Sequence, residues 1–186
     1  MSKPLIGAKI AILVANGFNE HDLTHTQRAL QALGGNTRII GMDQGLVNSW
    51  TGENWGHHFA SDNVLSAALA ADYAMLIVPG GRRSIEKLKL TAHTRRFIGG
   101  FVDAGKPVAF FDEAAELLAF AERASGRTLS APQAAQEALS AAGAQLDAAD
   151  YTVDGNIISG YSANINEYVD AVVSHFSAQS DMQEAA

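Results

Sequence analysis

Four short apolar runs, residues 9–14, 37–42, 72–78 and 106–111, constrain this chain more than any other feature. Each is too short for an ordinary helix, is rich in branched or aromatic side chains, and does not alternate with polar residues. That pattern belongs to strands covered on both faces, as in a parallel sheet. Between the first two, Leu23, Thr26, Leu30 and Leu33 stand at helical spacing and Gly34-Gly35 closes the segment, as a helix stop does. A strand, a helix and a strand so close together form a βαβ unit, which requires parallel pairing and a right-handed crossover.

The rest of the chain extends this reading. Helices are expected over residues 63–70, 113–124, 130–142 and 162–176, and within 88–105, where Thr91 supplies an N-cap. Residues 151–158 predict a hairpin turning at Asp154-Gly155. Residues 43–63 are the least regular, with Gly45, Gly52 and Gly56 among Trp50, Trp55, His57 and His58; a hairpin or edge strands is the expectation. The tail from 177 to 186 is expected to fray. One doubly wound α/β domain over residues 1–186 is the resulting prediction.

Composition narrows the function. Lys+Arg number 13 against Asp+Glu 20, a net charge of −7, so neither nucleic acid nor an anionic membrane is an expected partner. No stretch approaches the ~18 uninterrupted apolar residues of a membrane span, and the first residues carry no signal-peptide pattern, so a cytoplasmic location is expected. The chain has no Cys, which removes disulfides, thiolate metal sites and thiol nucleophiles together.

In an open parallel sheet, ligands bind beyond the carboxyl ends of the strands. Three such ends are legible: residues 16–22, 79–82 and 112–113. At the third, a buried strand runs into a helix with no loop between, so Asp112 occupies a tight elbow beside free backbone N–H groups. Enzymes of acyl transfer place nucleophiles on such elbows because the adjacent amides stabilise an oxyanion.

Val78-Pro79-Gly80-Gly81, then residues 105–109, the elbow, Gly126-Arg127-Thr128 and residues 153–159 resemble, in order and spacing, the DJ-1/PfpI (ThiJ) family of the class I glutamine amidotransferase-like superfamily, over residues 9–176. The resemblance implies a flavodoxin-like three-layer sandwich with a mostly parallel central sheet, assembled as a homodimer or higher homo-oligomer. It also implies an elbow cysteine, often followed by His and Gly, touched by an acid from the first helix. Members include peptidases or amidases, chaperones, deglycases or glyoxalases, and isonitrile hydratases. Here the cysteine position is Asp112, the His position Glu113, and Ala114-Ala115 follow. The first-helix acid aligns best with Asp22, with Glu20 a close competitor. The amide at Gly80-Gly81 corresponds to an oxyanion donor.

Taken on its own chemistry, Asp112 suits a helix N-terminus, which favours an anion by about 0.3–1 kcal/mol. If Asp22 reaches Asp112, as the resemblance implies, two carboxyls in one pocket should raise one pKa and make the pair share a proton. Asp112, Asp22 and Glu113 are therefore the catalytic candidates, and Gly80, Gly81, Glu20 and Arg82 the ligand-binding ones. Arg82 and Arg83 either hold an anionic group or form surface ion pairs. His21 and His25 have a spacing that can hold a metal, but the solvated helix face is the expectation, so no metal is predicted. His57 and His58 either cap the pocket or lie in a surface loop. No cofactor is expected, because Gly80-Gly81 does not continue into a phosphate-cradling loop. Three functions follow: a small-molecule binder or catalytically silent homo-oligomer; a hydrolase or lyase using Asp112 with Asp22; and a chaperone-like protein.

Overall fold

The computed structural model describes residues 3–186, and its elements run in chain order as follows. Strand β1 (Lys9–Leu13) and the short β2 (Phe18–Asn19) precede helix α1 (Glu20–Ala32), β3 (Asn36–Gly41), β4 (Leu46–Trp50), β5 (Trp55–Ala60) and β6 (Asn63–Val64). Then come β7 (Met75–Val78), α2 (Arg82–Leu88), α3 (Ala92–Asp103), β8 (Val108–Phe111) and α4 (Glu116–Phe120). The chain ends with β9 (Thr128–Leu129), α5 (Gln133–Ala141), β10 (Gln145–Leu146), β11 (Tyr151–Asp154), β12 (Ile157–Gly160) and α6 (Ile165–Glu184).

Seven strands form the main sheet in the order β11-β12-β8-β7-β1-β3-β6, parallel throughout except for the β11–β12 hairpin. Alternate residues of each central strand enter opposite cores. Ile10, Ile12, Ile77, Ala109 and Phe111 pack with Leu23 and Leu30 of α1 and with Tyr168, Val172 and Phe176 of α6. Ala11, Leu13, Leu76, Val78, Val108 and Phe110 pack with Leu88 and with Phe97 and Phe101 of α3 on the other side. Burial on both faces is why these strands read as unbroken apolar runs. The fold is a flavodoxin-like three-layer α/β sandwich.

The structure departs from the sequence reading in four places. Residues 63–70 are not a helix: β6 pairs with the end of β3, and a 3₁₀ turn covers Ala70–Asp72. The open edge of β3 overrides local propensity, since the Ile39 N–H donates to Asp62 Oδ2 at 2.7 Å and the Leu65 N–H to Gly41 O at 2.8 Å. Helix α2 was not anticipated, although α3 starts at the Thr91 N-cap as expected. The helix after the elbow is short: a 3₁₀ turn over Asp112–Ala115, then α4, ending before Glu122 at φ +59°. Finally, α6 continues to Glu184 instead of fraying from residue 177; Ser180 Oγ donates to Pro4 O at 3.2 Å along this added stretch.

Candidate functional site

The exits of β1, β7 and β8 lie side by side because those strands are adjacent in the sheet. Beyond β1, the chain turns at Gly17 and enters α1 at the N-cap Asn19, whose Oδ1 accepts from the His21 N–H at 3.1 Å. Asp22 then falls on the buried face of α1 with Leu23, Thr26 and Leu30. Beyond β7, residues 79–81 turn under this helix end, and the Asn19 N–H donates to Gly80 O at 2.8 Å. Beyond β8, Asp112 bends the chain at φ +50°. A non-glycine residue in this left-handed region carries a conformational cost and marks a place where the surroundings fix the backbone.

Three carboxyls converge here, and each accepts from a backbone N–H of another segment. The Gly80 N–H donates to Asp22 Oδ2 at 2.9 Å, the Gly81 N–H to Glu113 Oε1 at 2.7 Å, and the Ser162 N–H to Asp112 Oδ1 at 3.0 Å. The structure therefore brings Asp22, Asp112, Glu113, Gly80 and Gly81 together. It does not join Asp22 to Asp112 by the shared-proton hydrogen bond expected from the sequence; no such bond occurs among the described residues. Amide donors are better partners for a carboxylate than a second carboxylate is; the β7 exit supplies one to Asp22 and one to Glu113, and the segment after β12 supplies one to Asp112. Space is tight: a Cβ on Gly80 would lie 3.1 Å from Phe111 O and 3.2 Å from Asp22 Oδ2.

Asp22 is fully buried. Burial pushes its pKa up to about 7, and the neighbouring Asp112 and Glu113 charges add to this, while the Gly80 amide pulls against it. Its Oδ1 has no hydrogen-bond partner, and neither has Ser162 Oγ. Under the elbow, the buried Tyr168 hydroxyl donates to Phe110 O at 2.6 Å, and burial, with Asp22 and Asp112 nearby, raises its pKa well above the usual range.

Glu20 and Arg82 are committed elsewhere. Glu20 accepts from Ser49 Oγ, from the His57 N–H at 2.9 Å and from the His57 ring, so it ties the β4–β5 hairpin to the start of α1 instead of reaching the elbow. Burial alone would raise its pKa, but the Ser49 and His57 hydrogen bonds win and bring it down to about 2. Gly56 makes room for this: a Cβ there would lie 2.1 Å from Glu20 Oε2. Gly56→Ala is expected to expel the carboxylate and cost about 1–3 kcal/mol in urea unfolding. It should also shrink the loss of stability seen as pH falls below 4.5 toward 2, because a depressed carboxylate stabilises only above its unfolded pKa. An unchanged acid limb would disconnect Gly56 from Glu20.

The Arg82 guanidinium pairs with the buried Glu116 at 2.8 Å and with Glu86 at 3.2 Å, and Lys89 Nζ also reaches Glu116. Arg82 thus neutralises a buried acid, with its side chain still 43% exposed. Sequence reasoning missed Glu116, though a lone acid in the Ala- and Leu-rich stretch 114–119 is a legible sign of a buried partner. Arg83 stacks 4.0 Å over the Trp50 ring, which itself meets Trp55 edge-on at 5.4 Å. His58 bonds to Asn48 within the hairpin. The His21 and His25 rings are 5.6 Å apart, and among the described residues no group of three or more His, Asp or Glu side chains has a metal-binding arrangement. Among the described residues, no helix is long and apolar enough to cross a membrane.

Comparison with known proteins agrees with this architecture. The model of the DJ-1/PfpI family matches residues 8–174. An uncharacterized protein of Staphylococcus saprophyticus is 31% identical over 153 residues, covering 81% of this chain and 87% of its own. Among solved structures, a ThiJ/PfpI domain protein of Brachyspira murdochii superposes with a TM-score of 0.84 at 16% identity, over 94% of this chain and 98% of its own. A two-domain protein of Anabaena variabilis with DJ-1/ThiJ/PfpI-like and ferritin-like domains superposes at 0.83 with 21% identity, over 90% of this chain; this chain spans 47% of it.

Proposed function

The chain belongs to the DJ-1/PfpI family, and from that premise we propose that it is a cysteine-free, catalytically silent member that binds a small molecule and assembles as a homo-oligomer. One observation carries the reading: the Gly80, Gly81 and Ser162 amides, which line the elbow, are already occupied by carboxyls of the chain itself. An oxyanion needs such donors free and aimed at it. Here a developing negative charge would meet the Asp22, Asp112 and Glu113 carboxyls instead. No thiol is present to attack, as the chain holds no Cys. Assembly with copies of itself follows the habit of the family.

A second reading draws on Asp22. A buried carboxyl with a pKa of about 7 and a free Oδ1 has the proton affinity of a general acid or base at neutral pH. One assay separates the two readings. The purified protein is expected to turn over neither a dicarbonyl such as methylglyoxal nor a peptide amide above the buffer rate. Turnover that disappears in Asp112→Asn or Asp22→Asn would replace the silent reading with carboxyl-based catalysis.

A further inference from the structure

We propose that the ligand site lies not at the elbow but in a separate cleft at the carboxyl ends of β1 and β3, and that it takes a free apolar amino acid. The inference rests on the binder reading above and gives it a place and a ligand class. The cleft encloses about 290 Å³, between the residues leaving β1, those leaving β3, the start of β4 and the end of α2. Parallel sheets of this kind accept ligands beyond the carboxyl ends of their strands. The elbow, at the end of β8, is filled by its own acids, whereas this cleft is open.

Its lining is chemically divided. Lys87 and Asp43 both line it, yet among the described residues neither forms an ion pair. Opposite charges that share a cleft without pairing leave one site for an anionic group and one for a cationic group. Asn16 also lines the cleft, and its Oδ1 accepts from the Asn48 N–H at 2.9 Å, which leaves Nδ2 as a further donor for an anionic group. Val47 is part of the wall, and Leu46 and Leu90 flank it at 64% and 81% exposure. Large apolar side chains left in water beside a concave surface are the mark of a binding site. A carboxylate held by Lys87 and Asn16, an ammonium held by Asp43, and an apolar side chain against Leu46, Val47 and Leu90 together describe a zwitterion such as leucine or phenylalanine.

Titration calorimetry on the full chain tests this with L-leucine, L-phenylalanine, glycine, N-acetyl-L-leucine and L-leucinamide. Leucine and phenylalanine are expected to give saturable heats at millimolar concentration or below, and glycine none. N-acetyl-leucine lacks the ammonium and leucinamide the carboxylate, so each should bind about tenfold more weakly than leucine. Lys87→Met should abolish the preference for leucine over leucinamide, and Asp43→Asn the preference over N-acetyl-leucine. Asp43 is exposed and Lys87 partly so, and among the described residues neither forms an ion pair, so neither variant should change the melting temperature by more than a few degrees. Absence of saturable heat with leucine and phenylalanine, or discrimination unchanged in both variants, overturns the proposal. Either result is independent of the turnover assay, so this site can fail while the elbow remains silent, and the reverse.

Discussion

Stability is expected to fall as pH rises from about 4 to about 7, and Asp22 is the cause. Its carboxyl has a pKa of about 7 in the folded chain against 3.8 when free. Between those values the folded state holds a proton that the unfolded state has released, so each step up in pH favours unfolding. The stabilisation is complete below 3.8 and is lost as pH climbs to about 7. That interval corresponds to about 4 kcal/mol, a large fraction of the 5–15 kcal/mol or so that typically holds a domain together. Glu20 and Glu116 act in the opposite sense, because hydrogen bonds and ion pairs hold their pKa values below the ordinary one. Their contributions fade below 4.5, so the optimum should lie on the acid side of neutrality. Urea unfolding of wild type and Asp22→Asn from pH 4 to 8 measures the effect. Asn retains an oxygen for the Gly80 N–H and places an NH₂ where the acid would carry its proton, so the variant should fold with a flat profile over this range. Parallel profiles for the two proteins would show that the Asp22 carboxyl is already ionised when folded.

The parts legible in the sequence are those whose cause is local. β1, β7 and β8 announce themselves because both faces are buried, and no polar residue interrupts Ile10–Val14 or Met75–Val78. Asp154-Gly155 marks the β11–β12 turn, with Gly155 at φ +58°. The elbow is visible because no loop residue separates Phe111 from the next turn. What escaped depends on contacts far apart in the chain. Glu20 and Asp22 are near neighbours on one helix turn, yet Glu20 finds Ser49 and His57 while Asp22 finds Gly80. Helix phase alone places both near the strand exits and cannot say which acid turns inward. Likewise the sequence offers Glu113 for chemistry, but its destination on the Gly81 amide depends on how closely the β7 exit approaches the elbow. Arg82 looked available because its partner Glu116 lies 34 residues away.

The largest single loss of stability is expected from Gly81→Ala, since that glycine lets the β1 and β7 exits touch. Gly81 has φ +113°, a conformation that costs a side-chain-bearing residue about 1–3 kcal/mol. A Cβ there would also lie 2.4 Å from Gly17 O, 2.9 Å from Phe18 Cα and 3.0 Å from Asn19 N. These are backbone atoms and cannot rotate away. They are fixed in turn, with the Gly17 N–H donating to Asn48 O and the Asn19 N–H to Gly80 O, both at 2.8 Å. Relief requires the two exits to part, which adds an overpacking cost of about 1–3 kcal/mol or more. It would also draw the Gly81 N–H away from Glu113 and leave that carboxylate without its amide. Gly52→Ala separates the two contributions: Gly52 has φ +101° but nothing within 4 Å of its would-be Cβ, so only the conformational cost applies. In urea unfolding, Gly81→Ala should therefore lose about 2 kcal/mol or more beyond Gly52→Ala. Equal losses would mean that the exits can separate at little cost. The three acids would then be held by their own hydrogen bonds, and the contact at Gly81 would not be what positions them.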